Sequence, residues 1–140
     1  MLGDELDINR LTKEPVLLSD WFEIPDKQKS HYTNENNENC KYPLIGAAKT
    51  NNGIVGYLDT YDYEKCFTIV KDGDGACGCV FYHNYKFNKV PTVYIMKLKR
   101  KMDYIDINCK LLTLQLHSIH DHSNKLDKNK LNNYKLYLYI

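Results

Sequence analysis

Short apolar runs, broken by glycine, asparagine and charged residues, set the rhythm of this chain. Residues 42–45, 67–70, 79–82 and 93–98 are rich in Val, Ile, Phe and Tyr, and the gaps between them carry Gly or Asn, so each segment predicts a strand. Residues 108–119 hold Leu111, Leu112, Leu114, Leu116 and Ile119 at mixed spacing, over a length that favours a buried helix. Residues 16–24 place apolar side chains at 17, 18, 21, 22 and 24, with Ser19 available to cap a short helix through Trp21 and Phe22. Asp127 is placed to cap another short helix ending near Asn133, and the alternation over 136–140 predicts a final strand. Strands first and helices late predict an α+β domain. Its expected core is Trp21, Phe22, Ile45, Phe67, Ile69, Phe81, Val93, Ile95, Leu112 and Leu116.

Six of the seven glycines fall between Gly46 and Gly78. Clustering of this kind marks tight turns that need positive φ or close backbone approach. Asn51-Asn52-Gly53-Ile54 reads as one turn, and Asp72-Gly73-Asp74-Gly75 as another between two apolar strands. Loops on a strand framework are where a binding surface is built, so these turns are the first place to look for one. With 140 residues the chain fits one domain. The expected division is an acidic segment at 1–15 and a domain at 16–140, with the polar stretch 33–39 as an exposed loop.

Composition narrows the setting. No apolar run approaches a membrane span. Met1 is followed by Asp4, Glu5 and Asp7, where a secretory leader needs basic and then apolar residues, so an intracellular, cytoplasmic protein is expected. The five cysteines, Cys40, Cys66, Cys77, Cys79 and Cys109, form no secreted spacing pattern and are expected as free thiols. Charge is uneven: residues 1–26 hold seven acids against Arg10 and Lys13, while the remainder carries a net positive charge. Lys86, Lys89, Lys97, Lys99, Arg100 and Lys101 lie in a stretch with no acid between Gly75 and Asp103. Such a field steers polyanions toward one face.

Candidate chemistry is mostly excluded by spacing. The Asp72 to Gly75 turn opens like a calcium loop, but the later ligand positions fall on Ala76 and His83, which cannot supply the oxygens. Cys77-x-Cys79 with His83, and His117, His120 and His122 downstream, supply ligands that suit zinc, although the spacing departs from the common Cys-x-x-Cys knuckle. A small zinc-stabilised module, or a metal-dependent enzyme using Cys77, Cys79 and His83, is therefore the alternative reading. Nucleophile, phosphate-loop and dinucleotide signatures are missing. What remains is a glycine-turned framework whose loops carry Lys for phosphate, Asn for adenine edges and Tyr for stacking.

The order of residues says more. Pro43 to Tyr57 (PLIGAAKTNNGIVGY), Phe67 to Gly75 (FTIVKDGDG), Val80-Phe81-Tyr82 and Val93-Tyr94-Ile95-Met96 together resemble the target recognition domain of type I restriction-modification specificity subunits. In that family an apolar strand enters a Ser or Gly turn and an Asn-Asn-Gly-Ile turn follows. A second strand then leads into a Gly-rich turn, and Phe-Tyr and a further strand complete the order. Leu17 to Ile24 resembles the domain's opening helix, and Leu131 to Leu138 its closing strand, so the resemblance covers residues 16 to 138.

The resemblance implies a module that binds double-stranded DNA, uses no cofactor and catalyses nothing itself. Methylation and cleavage would belong to methyltransferase and restriction subunits, reached directly or through a second specificity chain. The residues expected to touch DNA are Lys49, Asn51, Asn52 and Tyr57 on the first turn and Lys71 on the second. Tyr82, His83, Asn84 and Lys86 follow the Phe-Tyr strand and complete the set. A plainer account of the two Asn residues stays open beside this one, since Asn tolerates the left-handed turn conformation.

Overall fold

A computed structural model of the chain describes residues 11–32, 39–73, 75–119 and 126–140. Strand β1 (Lys13–Leu17) runs directly into helix α1 (Leu18–Trp21) and the short strand β2 (Phe22–Glu23). After β3 (Tyr42–Ile45) a 3-10 turn at Asn51–Gly53 leads into β4 (Ile54–Leu58). The long strands β5 (Tyr63–Val70) and β6 (Val80–Lys89) follow, then β7 (Val93–Leu98), α2 (Ile105–Ile119), α3 (Lys128–Asn132) and β8 (Lys135–Tyr139). Among the described residues no helix is long and apolar enough to cross a membrane.

Six strands form one sheet in the order β2-β7-β5-β6-β3-β4, with β3 and β6 parallel and the other pairs antiparallel. Strands β1 and β8 form a separate antiparallel ribbon, so the boundary expected between residues 15 and 16 falls inside β1. The strands expected at 42–45 and 93–98 form at those positions, whereas β5 begins four residues before 67 and β6 continues past 82 to Lys89. A bulge explains the shortfall. Glu64 pairs with Lys86 but Cys66 pairs with His83, so the hydrophobic alternation loses phase where the two strands are most polar.

The Asp-Gly segment is not a tight hairpin turn. Residues 71–79 form a longer loop closed by Gly78 N–H to the Val70 carbonyl at 2.8 Å and Val70 N–H to the Cys79 carbonyl at 3.0 Å. Asp74 lies outside the described residues, as do most of the loop expected at 33–39 and His120 and His122.

The helices differ from expectation at their starts. Ser19 does not cap α1; the helix begins at Leu18, whose N–H is taken by the Tyr134 carbonyl at 3.0 Å, so a tertiary bond satisfies the donor that a cap would serve. Asp127 does cap α3, its side chain accepting from the backbone N–H of Asn129 and Lys130. Helix α2 starts three residues before 108, with Asp106 in its first turn where the helix dipole favours an acid.

Asn108 is fully buried inside α2 and clamps β8: it donates to the Tyr139 carbonyl and accepts from Tyr139 N–H, at 2.9 and 2.8 Å. Two helical turns on, Gln115 does the same to Tyr137, at 2.9 and 2.7 Å. Thr113 accepts from Val80 N–H at 2.9 Å, so α2 is sewn to β6 as well.

The core is double. One cluster packs Trp21, Phe22, Phe67, Ile69, Leu112 and Leu116 between the sheet, α2 and the ribbon; the other packs Ile45, Cys66, Val70, Phe87, Val93 and Ile95 on the opposite face. Phe81 departs from expectation in being half-buried. Strand β3 pairs with β6 only at Asn88 and Lys89, and the 51–53 turn docks on the first half of β6.

Candidate nucleic-acid interface

The first glycine-rich turn is built by three successive left-handed residues, Asn51 (φ 56°), Asn52 (φ 52°) and Gly53 (φ 80°). Asn adopts this conformation at little cost, and Gly53 has no alternative. A Cβ there would lie 3.0 Å from Ile45 and 3.2 Å from Phe81 in a strained backbone.

The turn is then locked onto β6. Asn52 Nδ2 donates to the Tyr82 carbonyl at 3.1 Å and to Tyr85 Oη at 2.9 Å, and it also lies 3.3 Å from His83 Nδ1. Tyr85 Oη lies 2.9 Å from His83 Nδ1, and His83 Nε2 lies 2.7 Å from Thr68 Oγ1. Both ring nitrogens of His83 are thus engaged, Nδ1 by Tyr85 and Asn52 and Nε2 by Thr68. Burial holds its pKa down from 6.5 to about 3, in agreement with a neutral ring. A polar relay thus runs from the exposed turn through Tyr85 and His83 to β5.

The expected contact residues separate into three groups. Lys49, Asn51, Asn52, Tyr57, Asn84 and Lys86 are exposed. Lys49 leans against Gly75 and Ala47 packs on Gly73, so the two glycine loops meet at one end of the sheet, while Lys86 lies further down β6 with its Nζ over the Tyr61 ring at 4.9 Å. Tyr82 and Lys71 are half-buried: Tyr82 packs its ring on Phe67 at 4.8 Å, and Lys71 places Nζ over the Tyr94 ring at 4.7 Å, toward β7 and away from the Asn turn. His83 is fully buried, so it supports the surface from beneath and cannot reach a duplex.

Three participants were not foreseen. Tyr85 and Thr68 complete the relay, and Lys110 of α2 joins Lys49 in lining a groove of about 690 Å³, with Asn52, Phe81, Tyr82 and Thr113. Tyr85 was legible in principle, since it stands two places from His83 on the same strand.

The structure does not assemble the zinc alternative. His83 has both ring nitrogens engaged within the relay, and Cys77 Sγ points at the Lys71 carbonyl. Among the described residues no group of three His, Cys, Asp or Glu side chains could hold a metal ion. The buried thiols are also poor nucleophiles. Burial pushes the pKa of Cys66 and Cys79 up, and that of Cys109 to about 12.

A mixed sheet presenting a preset Asn-Asn-Gly turn, and a sequence matched over residues 11–140 by the model of the type I restriction modification DNA specificity domain, place this chain in that family. It is similar to three Mycoplasma pneumoniae proteins named as type I specificity subunits. The first is 35% identical over 80 residues, which is 57% of this chain and 21% of the relative. The others are 34% identical over 73 residues (52% and 29%) and 30% identical over 61 residues (44% and 20%).

Crystal structures share the fold. The S subunit of a type I restriction-modification system from M. genitalium superposes with a TM-score of 0.67 at 16% identity, covering 94% of this chain and 35% of that one. The HsdS subunit from Thermoanaerobacter tengcongensis gives 0.60 at 12% identity, covering 97% and 35%. The chain therefore spans less than a third of the curated relatives and about a third of the solved subunits.

Proposed function

We propose that this domain binds double-stranded DNA and reads part of a target sequence in the cytoplasm, within a specificity protein that brings methyltransferase and restriction subunits, or a second specificity chain, to that site. The family match over residues 11–140 carries the reading. The geometry supports it, because a rigid sheet holds Lys49, Asn51, Asn84 and Lys86 outward around a turn that needs no reordering on binding. The domain contributes recognition alone, and any bond making or breaking on the DNA falls to the partner subunits.

The test is anisotropy with random-sequence duplexes over a salt series, followed by selection of bound sequences. Lys49→Ala and Lys86→Ala should each weaken binding to every duplex and reduce the log–log salt slope by about 0.9, with the fold intact. Binding that is insensitive to salt, or unchanged in both variants, removes this surface as the interface. Methylation or cleavage of DNA by the purified chain alone overturns its non-catalytic role.

A further inference from the structure

Among the described residues, left-handed backbone occurs outside glycine at Asn51, Asn52 and Lys65, the last with φ 55°. Turn chemistry accounts for the two asparagines. It does not account for Lys65, whose side chain offers no acceptor to its own backbone and whose Cβ is crowded in this conformation, where glycine would be free.

The strained lysine sits at the bulge in the β5–β6 pair. Glu64 is opposite Lys86 and Cys66 is opposite His83, so Asn84 and Tyr85 together face Lys65 alone. This is the stretch of β6 on which the Asn51–Asn52 turn docks from the other side, through the Tyr82 carbonyl and Tyr85 Oη. The left-handed Asn turn, through Asn52, and the left-handed Lys65 therefore flank one segment, Tyr82 to Lys86. Strained positions of this kind concentrate at ligand sites, where side-chain function holds a residue that local sterics disfavour. Lys65 is exposed, as are Asn84 and Lys86 on the facing strand.

We propose that Lys65 contacts a phosphate of the DNA backbone, and that the bulge exists to aim it outward beside Asn84 and Lys86. This rests on the DNA-binding reading above and extends its surface across β6 to β5. Glu64, exposed next to Lys65, limits the local positive field and gives a control of opposite sign.

A lysine that merely fills a bulge and one kept for a ligand respond differently to glycine. Thermal melting and duplex anisotropy over a salt series on the full chain should show Lys65→Gly melting at the same temperature or a few degrees higher. Its affinity at low salt should fall by roughly 3- to 10-fold and its salt slope by about 0.9. Lys65→Arg should keep the affinity and Glu64→Gln should raise it. If the wild-type chain binds and Lys65→Gly matches it in affinity and slope, the Lys65 assignment fails while DNA binding stands. If Lys65→Gly melts several degrees lower, the lysine holds the bulge itself and the assignment also fails. A wild-type chain with no salt-dependent binding overturns the DNA reading first, and Lys65 with it.

Discussion

At the scale of single residues, the chemistry of the Asn-Asn-Gly turn was legible but its anchoring was not. Asn51, Asn52 and Gly53 read as a left-handed turn because those residue types tolerate positive φ, and all three adopt it. That the Asn52 amide docks on β6 depends on a residue about thirty positions away, which no local pattern discloses. Replacing Tyr85 by Phe should cost about 1–2 kcal/mol in urea denaturation, since it leaves Asn52 and His83 each short of a partner. Acid should act through the same relay. Because the folded-state pKa of His83, about 3, lies below the unfolded value near 6.5, the unfolded chain takes up a proton the folded chain refuses in that window. Stability is complete above pH 6.5 and falls toward pH 3, by at most about 1.4 kcal/mol per pH unit from this group. Nitrogen NMR showing His83 protonated at both nitrogens at pH 5.5 in the folded protein would contradict this. Lys89 gives the complementary case. It is 3% exposed, with Nζ on the Ser30 hydroxyl, and burial and nearby Lys71 lower its pKa to about 8. Between pH 8 and 10.5 the unfolded chain holds the proton the folded one has released, so stability from this group rises with pH there. Lys89→Met should stabilise the domain by roughly 1–3 kcal/mol at pH 7 and flatten that rise, both visible in denaturation curves against pH.

Elements were legible where hydrophobic rhythm alone decides them. The strands at 42–45 and 93–98 and the body of α2 follow from apolar periodicity, whereas the extensions of β5 and β6 do not, because the bulge at Lys65 breaks the alternation that would reveal them. Helix α2 shows the other blind spot. Its leucines announce a buried helix, but Asn108 and Gln115 read as polar positions of no special interest. In the structure, seven residues apart on one helix, they serve as backbone surrogates for Tyr139 and Tyr137 and close the edge of β8 that β1 leaves open. Gln115→Leu would raise the apolar content of the helix, yet it should destabilise the domain by about 0.5–1.5 kcal/mol by removing the two exposed hydrogen bonds to Tyr137. Hydrogen exchange at the Tyr137 amide should quicken in step. A variant as stable as wild type would show that water replaces the clamp.

For the molecule as a whole, the α+β class and the family were readable from the order of motifs along the chain, because each motif is a local solution to turning a strand. The strand order and the β1–β8 ribbon were not, since both are set by contacts between distant segments. That ribbon carries a consequence in time. Lys13–Leu17 pairs with Lys135–Tyr139, and α1 is tied to the same region through Leu18 and Tyr134. On a ribosome β1 must wait until β8 has been made, with the loop-closure entropy of the long intervening segment to overcome before the pairing forms. The six-stranded sheet, its contacts held between residues 22 and 98, can form earlier and shelter the Asn-Asn-Gly turn while the ribbon is still open. Native-state hydrogen exchange should accordingly find the amides of β1 and β8 opening together at lower free energy than those of β5, as one cooperative unit.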